Sequence, residues 1–243
     1  MKASAITDRG MSCLFPGLLL LLGACTTVRP PADPPLGFLE DGFASSGTCS
    51  TEWPAHLPDV IPRGAFALTL MPGLEVEFND ARSQQFMHCW CSGMLRALRE
   101  GPLLPLAPGS EVYRFTWIPS SRGSFVIRIE HLGPVHSLHV KMTGMEEGTL
   151  ALDRRVLLTP TQWQAVQQRL AEARFWSIDR FFASRGLSYL DGSEWLFEGG
   201  REGRYRVLSL HSPDPEGPER AIHDLGVFLV ELAGITLPGG QLY

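Results

Sequence analysis

Three successive segments alternate apolar and polar residues with a period of two. Tyr113, Phe115 and Trp117 are interleaved with Arg114 and Thr116. Phe125, Ile127 and Ile129 are interleaved with Arg128 and Glu130, and Leu138, Val140 and Met142 with His139 and Lys141. Successive side chains of a strand point to opposite faces, so this spacing gives strands with one apolar face. The breaks between them are short and carry Gly and Pro, which suits antiparallel connections. The segments therefore predict an antiparallel meander with one buried face and one polar face. Lys141 falls on the polar face and is expected to matter little for stability. Glu130 with Arg128, and Glu198 with Arg206, are expected as ion pairs on that face.

An apolar sheet face must be covered. Thr159-Pro160-Thr161-Gln162 is a strong helix start: Thr159 can cap, Pro160 suits the first turn and Gln162 can close a capping box. Leu158 and Trp163 stand where a hydrophobic staple needs them, and Trp163, Val166, Leu170 and Ala173 line one side. A further helix is predicted from Ala81 to about Arg99, with Asp80 as its cap, and another over Pro218 to Ala233, stopped by Gly234. Leu150-Ala-Leu152 adds a strand, Glu194–Glu198 and Tyr205–His211 form a second pair, and Ala65 to Leu70 is apolar enough for a strand. The fold class predicted is α+β, an antiparallel meander sheet packed against two or three helices. The stripe of Trp163, Val166 and Leu170 should lie on Phe115, Trp117, Ile127, Ile129, Leu138 and Val140.

The N-terminal end sets the expected compartment. Lys2 and Arg9 precede an apolar run that ends in Leu22-Gly23-Ala24-Cys25. The run is shorter than the roughly 20 residues a membrane span needs, and Pro16 and Gly17 interrupt it. It has the layout of a signal peptide. The Leu22–Cys25 stretch resembles the lipobox of bacterial lipoproteins. That resemblance implies cleavage before Cys25, a diacylglyceryl group on its thiol and acylation, as by palmitate, of the new amino terminus. Thr26, where Asp would retain the protein at the inner membrane, favours the outer membrane of the cell envelope. Residues 1–24 are thus expected to be a signal, and 25–62 a disordered Pro-, Gly- and Ser-rich tether carrying Arg29-Pro30-Pro31 and Asp33-Pro34-Pro35. Residues 63–243 are expected to form a single domain. Two positive charges and one negative leave with the signal, taking the net charge from −5 to −6. That balance argues against a nucleic-acid partner.

Cysteine usage follows from the compartment. Cys13 belongs to the signal and Cys25 to the anchor, leaving Cys49, Cys89 and Cys91. An oxidising envelope favours one disulfide and one leftover thiol. A bridge from Cys49 to Cys89 or Cys91 would close a loop of about 40 residues, worth roughly 3–4 kcal/mol in the chain-entropy model. Met87-His88-Cys89-Trp90-Cys91 with Met94 offers soft ligands suited to Cu(I) or zinc. On a helix, however, residues two apart point to nearly opposite sides, so Cys89 and Cys91 do not converge. The expectation is a core face plus a disulfide, with no metal site and no cofactor. A Cys–His nucleophile built from His88, His211 or His223 lacks an orienting third group. Ser193 and Ser212 lie in no G-x-S-x-G elbow. Glu146-Glu147 reads as turn charge, and Gly199-Gly200 with Gly203 as a hairpin, since a phosphate loop opens a helix.

Tyr113-Arg-Phe-Thr-Trp-Ile, Leu158-Thr-Pro-Thr-Gln-Trp163, Phe175-Trp176 and Leu190-Asp-Gly-Ser-Glu-Trp195 with Glu198-Gly resemble a family of uncharacterised bacterial proteins, over about residues 83–235. That resemblance implies no activity. The expected function is a membrane-tethered envelope lipoprotein with a non-catalytic domain that binds a protein partner or supports envelope assembly. The alternative is a metal-binding or redox-active envelope protein using Met87, His88, Cys89 and Cys91. A hydrolase without a recognisable motif stands third.

Overall fold

The structure is a computed structural model, and it describes residues 59–62, 64–66, 81–120, 123–146, 148–177, 192–236 and 242. They fall in one compact unit. The elements are α1 (Ala81–Ala97), β1 (Glu111–Pro119), β2 (Phe125–Leu132), β3 (Val135–Thr143), β4 (Leu150–Leu157), α2 (Pro160–Glu172), β5 (Ser193–Arg201), β6 (Arg204–His211) and α3 (Arg220–Leu232). The chain is α+β: one six-stranded antiparallel sheet with three helices, in strand order β4-β3-β2-β1-β5-β6. The candidate strand at Ala65–Leu70 is a turn as far as Phe66, and the rest of it lies outside the described residues, as do Asp80 and the signal and tether up to residue 58.

The meander and the later hairpin are one sheet, because β1 pairs on both sides. Phe115 faces Ile127 on β2 and Phe197 on β5; Trp117 faces Phe125 and Trp195. A strand with an apolar face and an open edge gains by adding a strand of the same alternation, and β5 supplies it.

The first face carries the predicted core. Phe115, Phe125, Ile127, Ile129, Leu138 and Val140 pack with Val166 and Leu170 of α2 and with Ile222, Leu225 and Leu229 of α3. Thr159 and Gln162 form the capping box, with Pro160 in the first turn. Two glycines permit close packing on this face. A Cβ on Gly226 of α3 would collide with the Trp195 ring, and one on Gly199 would lie 2.5 Å from the Phe175 ring. Gly234, at φ +62°, ends α3 as predicted.

The second face differs from the expectation. It is not a solvated polar face: Val126, Leu196 and Val207 are buried under Cys91 and Leu95 of α1, Leu98, and Val60 and Ile61 from before α1. Lys141, expected to be exposed, is 7% exposed. Its ammonium lies 2.8 Å from Glu100 and donates to the Arg99 carbonyl at 2.7 Å. The alternation holds, but a period of two cannot show that a second layer follows. Removing one member of a buried charge-assisted pair costs roughly 1–3 kcal/mol. Lys141→Ala should therefore lower the unfolding free energy by about that amount in urea denaturation. Arg169→Ala, which breaks a surface pair with Glu172, should change it by less than about 0.5 kcal/mol.

Candidate functional site

The second face is divided into a covered half and an open half, and a chain of charges runs between them. Across β6, β5, β1, β2, β3 and β4, one register row reads Val207, Glu198, Arg114, Arg128, His139, Arg155. Arg114 and Glu198 are each 1% exposed and meet through two hydrogen bonds of 2.7 Å. Tyr205 donates to Glu198 at 2.6 Å. Glu100, which follows α1, sits beneath three cations: Arg128 at 2.9 Å, Lys141 at 2.8 Å and Arg114 at 3.3 Å. Burial pushes the Glu100 carboxyl up, but Arg128, Arg114 and Lys141 outweigh it and hold its pKa below the ordinary carboxylate value. Burial lowers the Arg114 pKa and Glu198 more than restores it, so the guanidinium stays charged. These groups are spent on one another. Their chemistry is structural.

Beyond Arg128 the cover ends. Glu130 accepts from Arg155 at 2.8 Å and lies 3.0 Å from Arg128, and His139 meets Asp153 at 2.5 Å. Asp153 and Arg155 are half-exposed, at 51% and 53% of their side chains. The same face ends in an apolar corner. Leu132 pairs with Val135 at the tip of the β2–β3 hairpin, and Leu157 pairs with Ser137. Their exposures are 42%, 46% and 75%, and Val156, next to Leu157 but on the first face, is 37% exposed. Large apolar side chains are more often covered, and these four lie together near one corner of the sheet. It adjoins the outer edge of β4, which has no strand beside it among the described residues.

The other side of this corner is packed with stacked rings. His131 and His136 are register partners whose Nδ1 atoms lie 2.9 Å apart. The indole of Trp163 stacks on both, at 5.3 Å and 5.1 Å between ring centres. Trp163 is thus half-buried at the margin of the core, on the predicted helix face. Beside it, Tyr113 donates to Glu111 at 3.1 Å and accepts from the Trp176 indole at 3.3 Å. Burial is the main reason the Tyr113 pKa rises to about 12. Arg201 and Arg204 both lie over the Trp176 ring.

The sequence-predicted candidates do not converge on one site. Cys25 and Cys49 lie outside the described residues. Cys89 is disulfide-bonded, to a cysteine outside the described residues. Cys91 is a free, fully buried thiol. Burial, then Glu194 and Glu198, push its pKa well up, the opposite of what a nucleophile or a metal ligand needs. His88 bonds the Ile61 carbonyl at 2.8 Å and so ties α1 to the segment before it. Met87 packs on the second-face core. No group of three or more His, Cys, Asp or Glu that could hold a metal occurs among the described residues.

Ser193 accepts from the Trp195 indole, and Ser212 accepts from the Ser193 amide. His211 lies 3.6 Å from Glu194, and His223 stacks on Trp195. Glu146 lies in a turn held by Thr149, and Glu147 is outside the described residues. Gly199 and Gly200 are within β5, with the turn at Glu202-Gly203. Of the two expected ion pairs, one changes partner and the other forms along a single strand. Glu198 pairs with Arg114 rather than Arg206, which donates to the Trp176 carbonyl, and Arg128 and Glu130 are neighbours along β2 rather than cross-strand partners. No family model, curated protein or solved structure matches the chain.

The paired imidazoles carry a pH prediction. One proton can sit between the two Nδ1 atoms, but a second would set two N–H groups against each other. Burial, then the charge of His131, lowers the His136 pKa. A lowered folded-state pKa means the unfolded chain binds the proton more readily, so stability is full above the ordinary imidazole value and falls as pH drops below about 6.5. The unfolding free energy measured in urea should decline between about pH 7 and pH 5. His136→Phe, which keeps a ring under Trp163, should flatten that decline. An unchanged profile would contradict the assignment.

Proposed function

We propose that this chain is a membrane-tethered envelope lipoprotein, anchored through Cys25, whose body is a non-catalytic domain that holds a polypeptide partner. The observation that carries the partner reading is the apolar corner of Leu132, Val135, Val156 and Leu157 beside the open β4 edge. Strand addition to an open edge gives affinity through main-chain hydrogen bonds, and adjoining side chains give selectivity. The buried charges around Arg114 are satisfied internally, and the paired histidines are packed under Trp163, which supports binding over catalysis. The disulfide at Cys89 supports an oxidising compartment. The Leu22–Cys25 stretch supports the anchor, and Thr26 the outer membrane.

The domain role is tested by placing a photo-crosslinking residue at Leu157 of the full chain in intact envelopes. A discrete polypeptide adduct is expected there and not from exposed Glu216, in the loop before α3. No adduct at Leu157 would remove the reading. The anchor is tested separately. Metabolic labelling with a fatty-acid analogue should tag the wild type and not Cys25→Ser. Non-reducing peptide mapping should join Cys89 to Cys49 and leave Cys91 free, and a mapped bridge from Cys89 to any other residue would refute that pairing.

A further inference from the structure

The β4 edge is self-complementary, and this names its occupant. We infer that β4 pairs antiparallel with β4 of a second copy of this chain, about a two-fold axis passing between the two Arg154 residues. This rests on the reading that the β4 corner is the binding surface.

Closed dimers by far most often have two-fold symmetry, which puts the same patch on both sides. Residues opposite each other in an antiparallel pair share a face, and a slip of one residue would exchange the faces. The axis must therefore pass through a residue pair, and only four centres lie near the middle of Leu150–Leu157. Centred on Asp153, two carboxylates face each other and Leu152 meets Arg154. Centred on Arg155, Arg155 faces its own copy and Asp153 meets Leu157. Centred on Leu152, Ala151 meets Asp153 and Leu150 meets Arg154.

Centred on Arg154, the pairs fit. Asp153 faces the second copy's Arg155, twice, on the second face. Leu152 faces Val156, twice, on the first face, where Leu152 already packs against the core. Ala151 faces Leu157, small against large, twice. The one like-charged pair is Arg154 with itself. That guanidinium is directed away from the axis, to the Ala233 carbonyl at the C-terminal end of α3, where the helix carbonyls favour a positive charge. The same register brings the second copy's β3–β4 turn, with Met145 at 87% exposure, alongside the Leu157 end. Three of the six exposed large apolar side chains among the described residues then lie along this seam: Met145, Val156 and Leu157.

The test is disulfide crosslinking of the full chain in intact envelopes under mild oxidation. Opposite residues of an antiparallel pair have Cα atoms about 4.5–5.5 Å apart, within disulfide range. Diagonal neighbours stand at about 7–8 Å, at or beyond its limit. Arg154→Cys, on the axis, should give a disulfide-linked dimer at about ten times the yield of Asp153→Cys or Arg155→Cys alone. In the Arg154→Cys chain, adding Asp153→Arg should lower that yield about tenfold. Adding Arg155→Asp as well should restore it, a rescue that a folding defect would not give. No dimer from Arg154→Cys, or equal yields from all three single cysteines, would overturn the inference. If Arg154→Cys or the Leu157 photo-adduct joins a polypeptide of different mass, self-pairing is refuted while the partner-holding reading survives. If neither position joins anything, both fall.

Discussion

The sheet depends on one buried contact, the ion pair between Arg114 of β1 and Glu198 of β5. Both side chains are out of water, so their desolvation is severe, and only good geometry with further hydrogen bonds offsets it. The carboxylate receives two bonds from Arg114 and one from Tyr205. The guanidinium has a further acceptor in the Gly101 carbonyl at 2.6 Å. This contact also fixes register. Sliding β5 by two residues against β1 would place Arg114 opposite Leu196 or Gly200 and leave two buried charges unpaired. An apolar pair at this place would tolerate such a slip far better. The β1–β5 pairing joins the meander to the later hairpin, so the whole six-stranded order rests on a contact that is costly to make badly.

Glu100 extends the same logic to the covering layer. Its carboxylate, set just after α1, draws on Arg114, Arg128 and Lys141, one from each of β1, β2 and β3. Packing alone would let α1 rock on the small apolar patch of Val126, Leu196 and Val207. Three cations from three strands fix where the helix must end. The segment after it crosses the sheet where Gly200 leaves room: a Cβ there would lie 2.8 Å from Leu106. The cover therefore reaches β5, β1, part of β2 and β3 at Lys141, and leaves most of β4 outside it.

The first face was legible from sequence because one local rule governs it. A period of two in three segments, followed by a capped helix with a matching stripe, defines strands, helix and shared core, and Thr159, Gln162, Val166 and Leu170 stand where that rule puts them. The second face was not legible, because its polar residues serve two ends. Lys141, Arg114 and Glu198 have the periodicity of solvated residues and become buried only because Glu100, Arg128 and Tyr205 arrive from elsewhere in the chain. No spacing along the sequence shows that meeting. A signal did exist in the pair itself: a strand from Ser193 to Arg201 that places Glu198 among apolar residues is asking for a buried cation. The exposed corner was equally hidden, since Leu132, Val135 and Leu157 have the composition of core residues. Their exposure follows from where the cover stops.

The two edges of the sheet differ in a way that bears on binding. β6, the far edge, buries Val207, Leu208 and Leu210 and is half-covered at Tyr205 and Arg206. β4, the near edge, is exposed along most of its length and has no strand beside it among the described residues. Folded proteins usually protect edges with inward-pointing charge, a bulge or a short strand. β4 has eight residues, and its pairing with β3 is regular until the shift between Met142 and Thr143. Its charges come as Asp153 beside Arg154 and Arg155, mixed rather than of one sign. An edge of one sign repels any copy of itself, whereas a mixed edge repels most registers and accepts few. The protection here is thus selective: the charges screen β4 against indiscriminate pairing and leave open the registers in which opposite signs meet.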